Sequence, residues 1–265
     1  MSDSLIPSNK ETHFKVVIQA YNASKWIIDC LKSVVIQKYE NWQAIIHIEP
    51  SEDGTYESVS QYLDSIADPR FVLRKNEIRR LRPTNDLEAI KIANPNNEDV
   101  VMFLDGDDKL YDDKVFSCLN AVYQDDDIWI TWGSYILKHN NEIGGAACEV
   151  PPPKYDPYAG KRRWRYSHLK TFRYFLFKGI KHKDLLEKRT GEYYPVAWDM
   201  ALMFPMIEMA GKEHSQYINK ILYVYNLSTP YNNEKVNVFH CMDCDEEIRN
   251  RPQYKQKTKE ELCSL

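Results

Sequence analysis

Three aspartates that follow an apolar run are the residues of this chain best suited to chemistry. Asp105, Asp107 and Asp108 come directly after residues 100–104, and five apolar residues in a row predict a buried strand. Ligands of open parallel sheets bind beyond the carboxyl ends of the strands, so this position indicates a site. Carboxylate oxygens suit Mg²⁺ or Mn²⁺, which also bridge diphosphates. The alternative is a polar turn that caps the next helix.

A carboxylate in the second half of the chain is a candidate general base. Asp199 follows Trp198 near the start of a predicted helix over residues 196–210. A helix N-terminus ordinarily keeps a carboxylate ionised, and an ionised, accessible carboxylate can accept a proton. The alternative is that Asp199 only neutralises the helix dipole.

Residues 161–189 form the sharpest change of composition in the chain. They contain eleven Lys or Arg residues against two acids, interleaved with aromatic residues that include Trp164. A basic, aromatic surface suits an anionic partner, even a nucleic acid, and His168 could contact such a partner. The alternative is a half-buried amphipathic helix with aromatic residues in the core and lysines in solvent.

The elements that would position these residues alternate between short strands and helices, which predicts one α/β domain with a mostly parallel sheet flanked by helices. Asn22 and Asp112 are expected to cap the first and fourth helices. Predicted strands cover residues 14–20, 43–49, 71–74, 100–104, 128–133 and 217–225. Predicted helices cover residues 27–35, 55–65, 84–93, 115–122, 169–177 and 196–210.

The whole-chain composition narrows the class of protein further. A chain of 265 residues with 43% apolar residues is long enough for one compact domain, and a net charge of −4 argues against nucleic-acid or membrane binding by bulk charge. With no apolar run of membrane-spanning length and no secretory signal, we expect a reduced, cytoplasmic protein. Cys241 and Cys244 form a C-x-x-C pair after His240. Because no second ligand pair follows, the spacing favours ordinary cysteines over a zinc site.

Several sequence motifs together resemble the family 2 glycosyltransferases with a GT-A fold. Residues 103–108, Phe-Leu-Asp-Gly-Asp-Asp, closely resemble the strand and D-x-D-D signature of that family. Residues 16–22 resemble its first strand and P-T-Y-N turn, and residues 30–39 resemble its C-L-x-S-V-x-x-Q-x-Y helix. The resemblance covers roughly the first 135 residues. It implies a Mn²⁺- or Mg²⁺-dependent enzyme that moves a sugar from a nucleotide-diphosphate sugar, with UDP favoured, to a glycan or related anionic acceptor.

The resemblance also implies roles for individual residues. The donor would contact Gln19, Tyr21, Glu49, Arg82, Asp105 and Asp108. The metal would be held by Asp107, Asp105 and Glu234. Asp199 would be the base of an inverting transfer, with Trp198 beside it in contact with the acceptor. The basic, aromatic segment adds Trp164 and His168 as candidate acceptor contacts.

The resemblance further suggests how the chain is divided. We expect a nucleotide-sugar half over residues 1–135, an acceptor half over residues 136–240, and a charged tail over residues 241–265 that is a surface helix or disordered. Glu49 begins a turn one residue shorter than the family's D-D-G-S-T-D. Two alternatives therefore stay open, a degenerate member that binds nucleotide or glycan without turnover, and a glycosyltransferase that acts on DNA.

Overall fold

The computed structural model describes residues 11–144, 164–230 and 238–265. Its strands form one mixed sheet in the order β3-β2-β1-β4-β7-β6-β8-β5. The strands are β1 (Phe14–Ala20), β2 (Trp42–Ile48), β3 (Phe71–Lys75), β4 (Val100–Asp105), β5 (Lys109–Leu110), β6 (Ile130–Leu137), β7 (Thr171–Arg173) and β8 (Ser215–Tyr225). The helices are α1 (Ile27–Val35), α2 (Thr55–Ile66), α3 (Leu81–Ala93), α4 (Val115–Tyr123), α5 (Tyr174–Lys178), α6 (Trp198–Ala210), α7 (Val238–Arg249) and α8 (Lys259–Cys263), with a 3₁₀ helix at His182–Leu185.

Strands β1 to β4 form the parallel half of the sheet, which confirms the predicted α/β class. Strand β1 lies between β2 and β4, and Gln19 of β1 is level with His47 on one side and Asp105 on the other. The apolar residues of β1, β2 and β4 are buried on both faces of the sheet, as expected for parallel strands covered by helices. The carboxyl ends of β1 and β4 therefore meet at one edge.

The prediction of a helix over residues 169–177 is wrong for its first part. Residues Thr171–Arg173 form β7, which runs antiparallel between β4 and β6, and α5 begins only at Tyr174. The hydroxyl of Thr171 hydrogen-bonds to the hydroxyls of Tyr123 and Thr131, at 2.8 and 2.7 Å. These partners lie far away in the sequence, so tertiary contacts override the local helical pattern.

The basic segment is not one solvated helix either. Lys170 and Arg173 are 6% and 1% exposed. The Arg173 guanidinium donates to the carbonyl oxygens of Ile128 and Tyr123, at 2.9 and 3.0 Å, and to the Glu98 carboxylate at 3.1 Å. Part of the positive charge in this segment is therefore structural.

Both predicted helix caps are wrong. Asn22 adopts a left-handed conformation with φ of 47°, its side-chain oxygen accepts from the Glu52 amide at 3.2 Å, and α1 begins five residues later. Asp112 accepts from the Lys114 amide at 2.9 Å, and Lys114 itself precedes α4. Both polar side chains stabilise turns before their helices.

The C-terminal segment packs against the rest of the chain through α7 and α8. Cys244 and Ile248 of α7 and Leu262 of α8 belong to the same buried cluster as Met206 and Met209 of α6. On α7, Cys241, Cys244 and Ile248 are spaced by three and four residues, which gives this helix one face directed to the core. Among the described residues, the helices are all too short or too polar to cross a bilayer.

Candidate active site

Residues 105–108, here called the aspartate turn, lie at the end of β4 and pack against the end of β1. The amide of Gly106 donates to the Gln19 carbonyl oxygen at 2.8 Å. A Cβ atom at residue 106 would lie 2.7 Å from that oxygen and 2.8 Å from the Cβ of Ala20. Glycine is therefore required here for close backbone approach, and it brings Asp105 and Asp107 beside Gln19.

Asp108 ties this turn to β8. Its carboxylate accepts from the Tyr223 hydroxyl and from the Asn226 amide, both at 2.7 Å. Burial and the neighbouring charge of Asp107 raise the pKa of Asp108 well above its ordinary value. Asp108 therefore fixes the position of the other two aspartates, and its carboxylate oxygens already have partners.

Asp105 and Asp107 lie in a strongly charged environment. Burial, followed by the charge of Asp105, raises the pKa of Asp107 to about 6. Arg82 of α3 forms an ion pair with Asp105, with Nη1 and Oδ1 at 2.6 Å, and its Nε lies 3.3 Å from Asp86 Oδ2. The indole N–H of Trp198 donates to the same Asp86 oxygen at 2.9 Å. Arg82 thus links the aspartate turn to the start of α6.

Asp199 lies in the first turn of α6, as predicted. Its Oδ2 is 3.0 Å from Lys170 Nζ, and its Oδ1 accepts from the Met200 amide at 2.9 Å. Burial alone would raise the pKa of Asp199, but Lys170 and Arg82 together hold it below the ordinary value. With 41% of its side chain exposed, Asp199 is an ionised carboxylate that a ligand can reach.

One cleft of about 540 Å³ brings the predicted site together. Eleven of the twelve residues singled out in the sequence line it, and the twelfth, Glu234, lies outside the described residues. The eleven are Gln19, Tyr21, Glu49, Arg82, Asp105, Asp107, Asp108, Trp164, His168, Trp198 and Asp199.

The end of the cleft nearest β1 contains a stacked cation and a buried amide. The guanidinium of Arg79 lies 4.1 Å from the centre of the Tyr21 ring. Glu49 accepts from Asn85 Nδ2 at 2.6 Å and from the Arg80 amide at 3.1 Å. The amide oxygen and nitrogen of Gln19 are buried and have no hydrogen-bond partner among the described residues. Unpaired buried polar atoms are costly, so Gln19 is suited to a ligand.

Aromatic side chains, including His168, Tyr225 and Trp164, also line the cleft. The His168 ring stacks on Tyr223 and Tyr225, with centroids 4.5 and 5.5 Å apart. Burial, with a smaller effect from Lys170, lowers the pKa of His168 well below its ordinary value, so the ring is neutral. Trp164 lies 5.5 Å from the Lys170 ammonium, measured to the ring centroid.

Trp198 is 4% exposed. It contributes ring surface to the cleft, because its indole N–H already donates to Asp86.

Other cleft residues carried no signal in the sequence. Asn85, Tyr225 and Asn226 line the cleft, yet each lies in a stretch whose composition predicts a strand, helix or loop and nothing more. Lys170 lines it too, and its only signal was membership of the basic segment. Their proximity to the aspartates follows only from the fold.

Comparison with known proteins identifies the class. The model of glycosyl transferase family 2 matches residues 15–186, which is well over half of the chain. The chain belongs to glycosyl transferase family 2, so the resemblance seen in the sequence is confirmed.

One curated relative is the Escherichia coli UDP-Glc:alpha-D-GlcNAc-diphosphoundecaprenol beta-1,3-glucosyltransferase WfgD. It is 28% identical over 130 residues, which cover 49% of this chain and 48% of WfgD. The chain therefore matches about half the length of this curated relative.

Two solved structures share the fold. Staphylococcus aureus TarS 1-349 in complex with UDP-GlcNAc has a TM-score of 0.59 at 15% identity, covering 82% of this chain and 59% of that one. The mannosyltransferase PcManGT from Pyrobaculum calidifontis, in complex with GDP-Man and Mn²⁺, has a TM-score of 0.57 at 18% identity, covering 85% and 59%. These structures show that the fold is GT-A.

Proposed function

We propose that this chain transfers a sugar from a UDP-sugar to a hydroxyl group of a glycan or related anionic acceptor, with inversion at the anomeric carbon. The observation that carries the proposal is that Asp105, Asp107 and Asp199 line one cleft. The first two suit a diphosphate-bound cation, and the third suits an acceptor hydroxyl. The relative WfgD is named for a UDP-Glc donor and a diphosphate-linked acceptor, which supports both substrate classes.

The carboxylates of Asp105 and Asp107 suit a hard divalent cation. Asp105 and Asp107 offer oxygen ligands two residues apart, and the pKa of Asp107, raised by burial and by Asp105, reflects a repulsion that a cation would relieve. A bound Mn²⁺ or Mg²⁺ supplies charge neutralisation to the leaving diphosphate. The proposed third ligand, Glu234, is outside the described residues. The mannosyltransferase PcManGT was solved with Mn²⁺, which supports the choice of metal.

The other proposed contacts to the nucleotide sugar come from side chains at the end of the cleft nearest β1. Tyr21, stacked by Arg79, offers a flat surface for the nucleotide base. Gln19 offers an amide without another partner. Arg82 is the nearest described guanidinium to the aspartate turn, and guanidinium groups suit diphosphate oxygens.

Asp199 is the proposed base. It takes the proton of the acceptor hydroxyl as the oxygen attacks the anomeric carbon, and the bond to the diphosphate breaks on the opposite face, releasing UDP. Lys170 keeps Asp199 ionised and in place. Trp164, His168 and Trp198 form the wall against which the acceptor lies, and a neutral His168 does not repel or attract the acceptor charge.

One observation favours a second candidate, a member that binds nucleotide without turnover. The Glu49 carboxylate, which the resemblance places in contact with the donor, already accepts hydrogen bonds from Asn85 and from the Arg80 amide. A ligand would have to compete for it. This candidate predicts UDP binding without transfer.

The experiment that separates the candidates combines binding and turnover. The protein is incubated with Mn²⁺ and a panel containing UDP-Glc and UDP-GlcNAc, and donor hydrolysis and UDP affinity are measured for the wild type, Asp199→Asn and Asp64→Asn. Loss of general-base catalysis costs about 10²–10⁴-fold in rate, so Asp199→Asn should bind UDP normally and lose turnover. Asp64 is exposed on α2 and serves as the control. Absence of nucleotide binding, with or without metal, would refute both candidates.

A further inference from the structure

Three side chains with metal-binding chemistry meet outside the cleft, between α7 and the loop that precedes α6. Glu187, His240 and Cys244 each offer one ligand atom, and these three atoms lie within 4.8 Å of one another. Glu187 and Cys244 are buried, and the His240 side chain is 22% exposed. His240 and Cys244 are four residues apart on α7, so they share one face of the helix. Glu187 lies 53 positions before His240 in the sequence.

The distances suit a tetrahedral ion. His240 Nε2 and Glu187 Oε2 are 3.4 Å apart. Bonds of about 2.1 Å at tetrahedral angles place two light ligand atoms about 3.4 Å apart, and a sulfur ligand about 3.6 Å from either. Cys244 Sγ lies within 4.8 Å of both atoms, so a shift on the order of 1 Å in the Cys244 side chain brings it to bonding distance of a shared ion. One imidazole, one thiolate and one carboxylate form a ligand set that favours Zn²⁺ over Mg²⁺ or Mn²⁺.

We propose that Glu187, His240 and Cys244 bind one Zn²⁺ ion, with solvent as the fourth ligand. As the zinc–sulfur bond forms, the thiol proton of Cys244 leaves to solvent. The ion replaces the direct contact between His240 and Glu187. The other Glu187 oxygen keeps its hydrogen bond from Arg189 Nε at 2.9 Å.

The ion would join α7 to a loop that already contacts it. Glu247 of α7 accepts from the Tyr194 hydroxyl at 2.5 Å and from the Lys188 amide at 3.1 Å. Glu187 itself donates its amide to the Glu192 carbonyl oxygen at 2.8 Å. The loop leads directly into α6, so the zinc would stabilise the region that carries Asp199. The binding site itself does not depend on the proposed transferase activity.

Cobalt(II) is a suitable probe of the site because its absorption spectrum depends on the ligands that bind it. Metal-free protein is titrated with Co²⁺, and thiolate-to-cobalt charge-transfer absorption is recorded in the near ultraviolet. The background variant is Asp107→Asn, which weakens the all-oxygen site in the cleft; cobalt bound there would give no thiolate band. We expect the band to saturate at one equivalent, to disappear when Zn²⁺ is added, and to be lost in Cys244→Ser. It should persist in Cys118→Ser, whose cysteine lies on α4.

Thermal unfolding gives a second readout. Zn²⁺ at about a hundredfold excess over its Kd should raise the unfolding midpoint by roughly 5–10 °C, and this gain should be lost in His240→Gln. The proposal is overturned if the protein that retains all its cysteines shows no thiolate band and no zinc-dependent shift. It is also overturned if Cys241→Ser removes the band while Cys244→Ser keeps it. Neither outcome bears on UDP binding, which is measured separately.

Discussion

The ion pair between Lys170 and Asp199 predicts how the pH dependence of turnover changes when Lys170 is replaced. Replacing Lys170 with Met keeps the length of a 6% exposed side chain and removes its charge. The pKa of Asp199, which Lys170 and Arg82 hold down against burial, should then rise. Because the base must be ionised to accept a proton, the acid limb of the rate profile should move to higher pH.

The magnitude follows from the distance and the exposure. Two unit charges 3.0 Å apart interact by about 1.4 kcal/mol in water and by about 5.5 kcal/mol at an effective dielectric constant of 20. Since 41% of the Asp199 side chain is exposed, solvent screens the pair and the water-like end applies. We expect about 1.4 to 3 kcal/mol, which moves the pKa upward by about one to two units.

The assay is donor hydrolysis at saturating UDP-sugar and Mn²⁺, measured from pH 4 to pH 8 for the wild type and Lys170→Met. The control is Lys212→Met, which removes an exposed charge in the turn after α6 and should leave the profile in place. An unchanged acid limb in Lys170→Met, with measurable turnover, would refute the reasoning that Asp199 is the base controlled by Lys170.

Three further predictions concern the supports of the site. Gly106→Ala places a methyl group against the β1 backbone. It should lower the unfolding free energy, measured by urea denaturation, by about 1–3 kcal/mol and weaken UDP binding. Unchanged stability would contradict the close approach of the two backbones. Burial raises the pKa of Asp86 to about 6, above about 3.9 in the unfolded chain. The stability contributed by its protonated form is therefore present below about pH 4 and lost as the pH rises through 6. The unfolding free energy of the wild type relative to Asp86→Asn should fall by up to about 3 kcal/mol between pH 4 and pH 7, and a constant difference would count against the raised pKa. Arg173→Met removes the donor to the buried Tyr123 carbonyl oxygen and to the partly buried Ile128 carbonyl oxygen, so it should cost about 2–4 kcal/mol of unfolding free energy. The exposed Lys212→Met should cost almost nothing, and equal effects would show that Arg173 is not structural.

The parallel half of the fold and its aspartate turn follow from local patterns. The apolar runs at β1 and β4 predict buried strands, and a strand that ends in Asp-Gly-Asp-Asp predicts where the carboxylates lie. These features depend on neighbouring residues, so the sequence displays them directly.

The second half depends on contacts between distant residues. Thr171 is in a strand because Tyr123 and Thr131 offer hydroxyl partners. The sequence around Thr171 does not predict these hydrogen bonds. The pairing of Lys170 with Asp199 crosses 29 positions. A basic segment that suggested an anionic partner therefore uses part of its charge on the chain's own carboxylates and carbonyl oxygens.

The central claim is that Asp107 and Asp105 bind a divalent cation together with the diphosphate of the donor. Calorimetric titration of UDP into the protein, with and without Mn²⁺, tests it for the wild type and Asp107→Asn. We predict that Mn²⁺ tightens UDP binding at least about tenfold in the wild type, the equivalent of about 1.4 kcal/mol, and that this gain disappears in the variant. UDP binding of equal affinity with and without Mn²⁺, or a gain that survives in Asp107→Asn, would contradict the account.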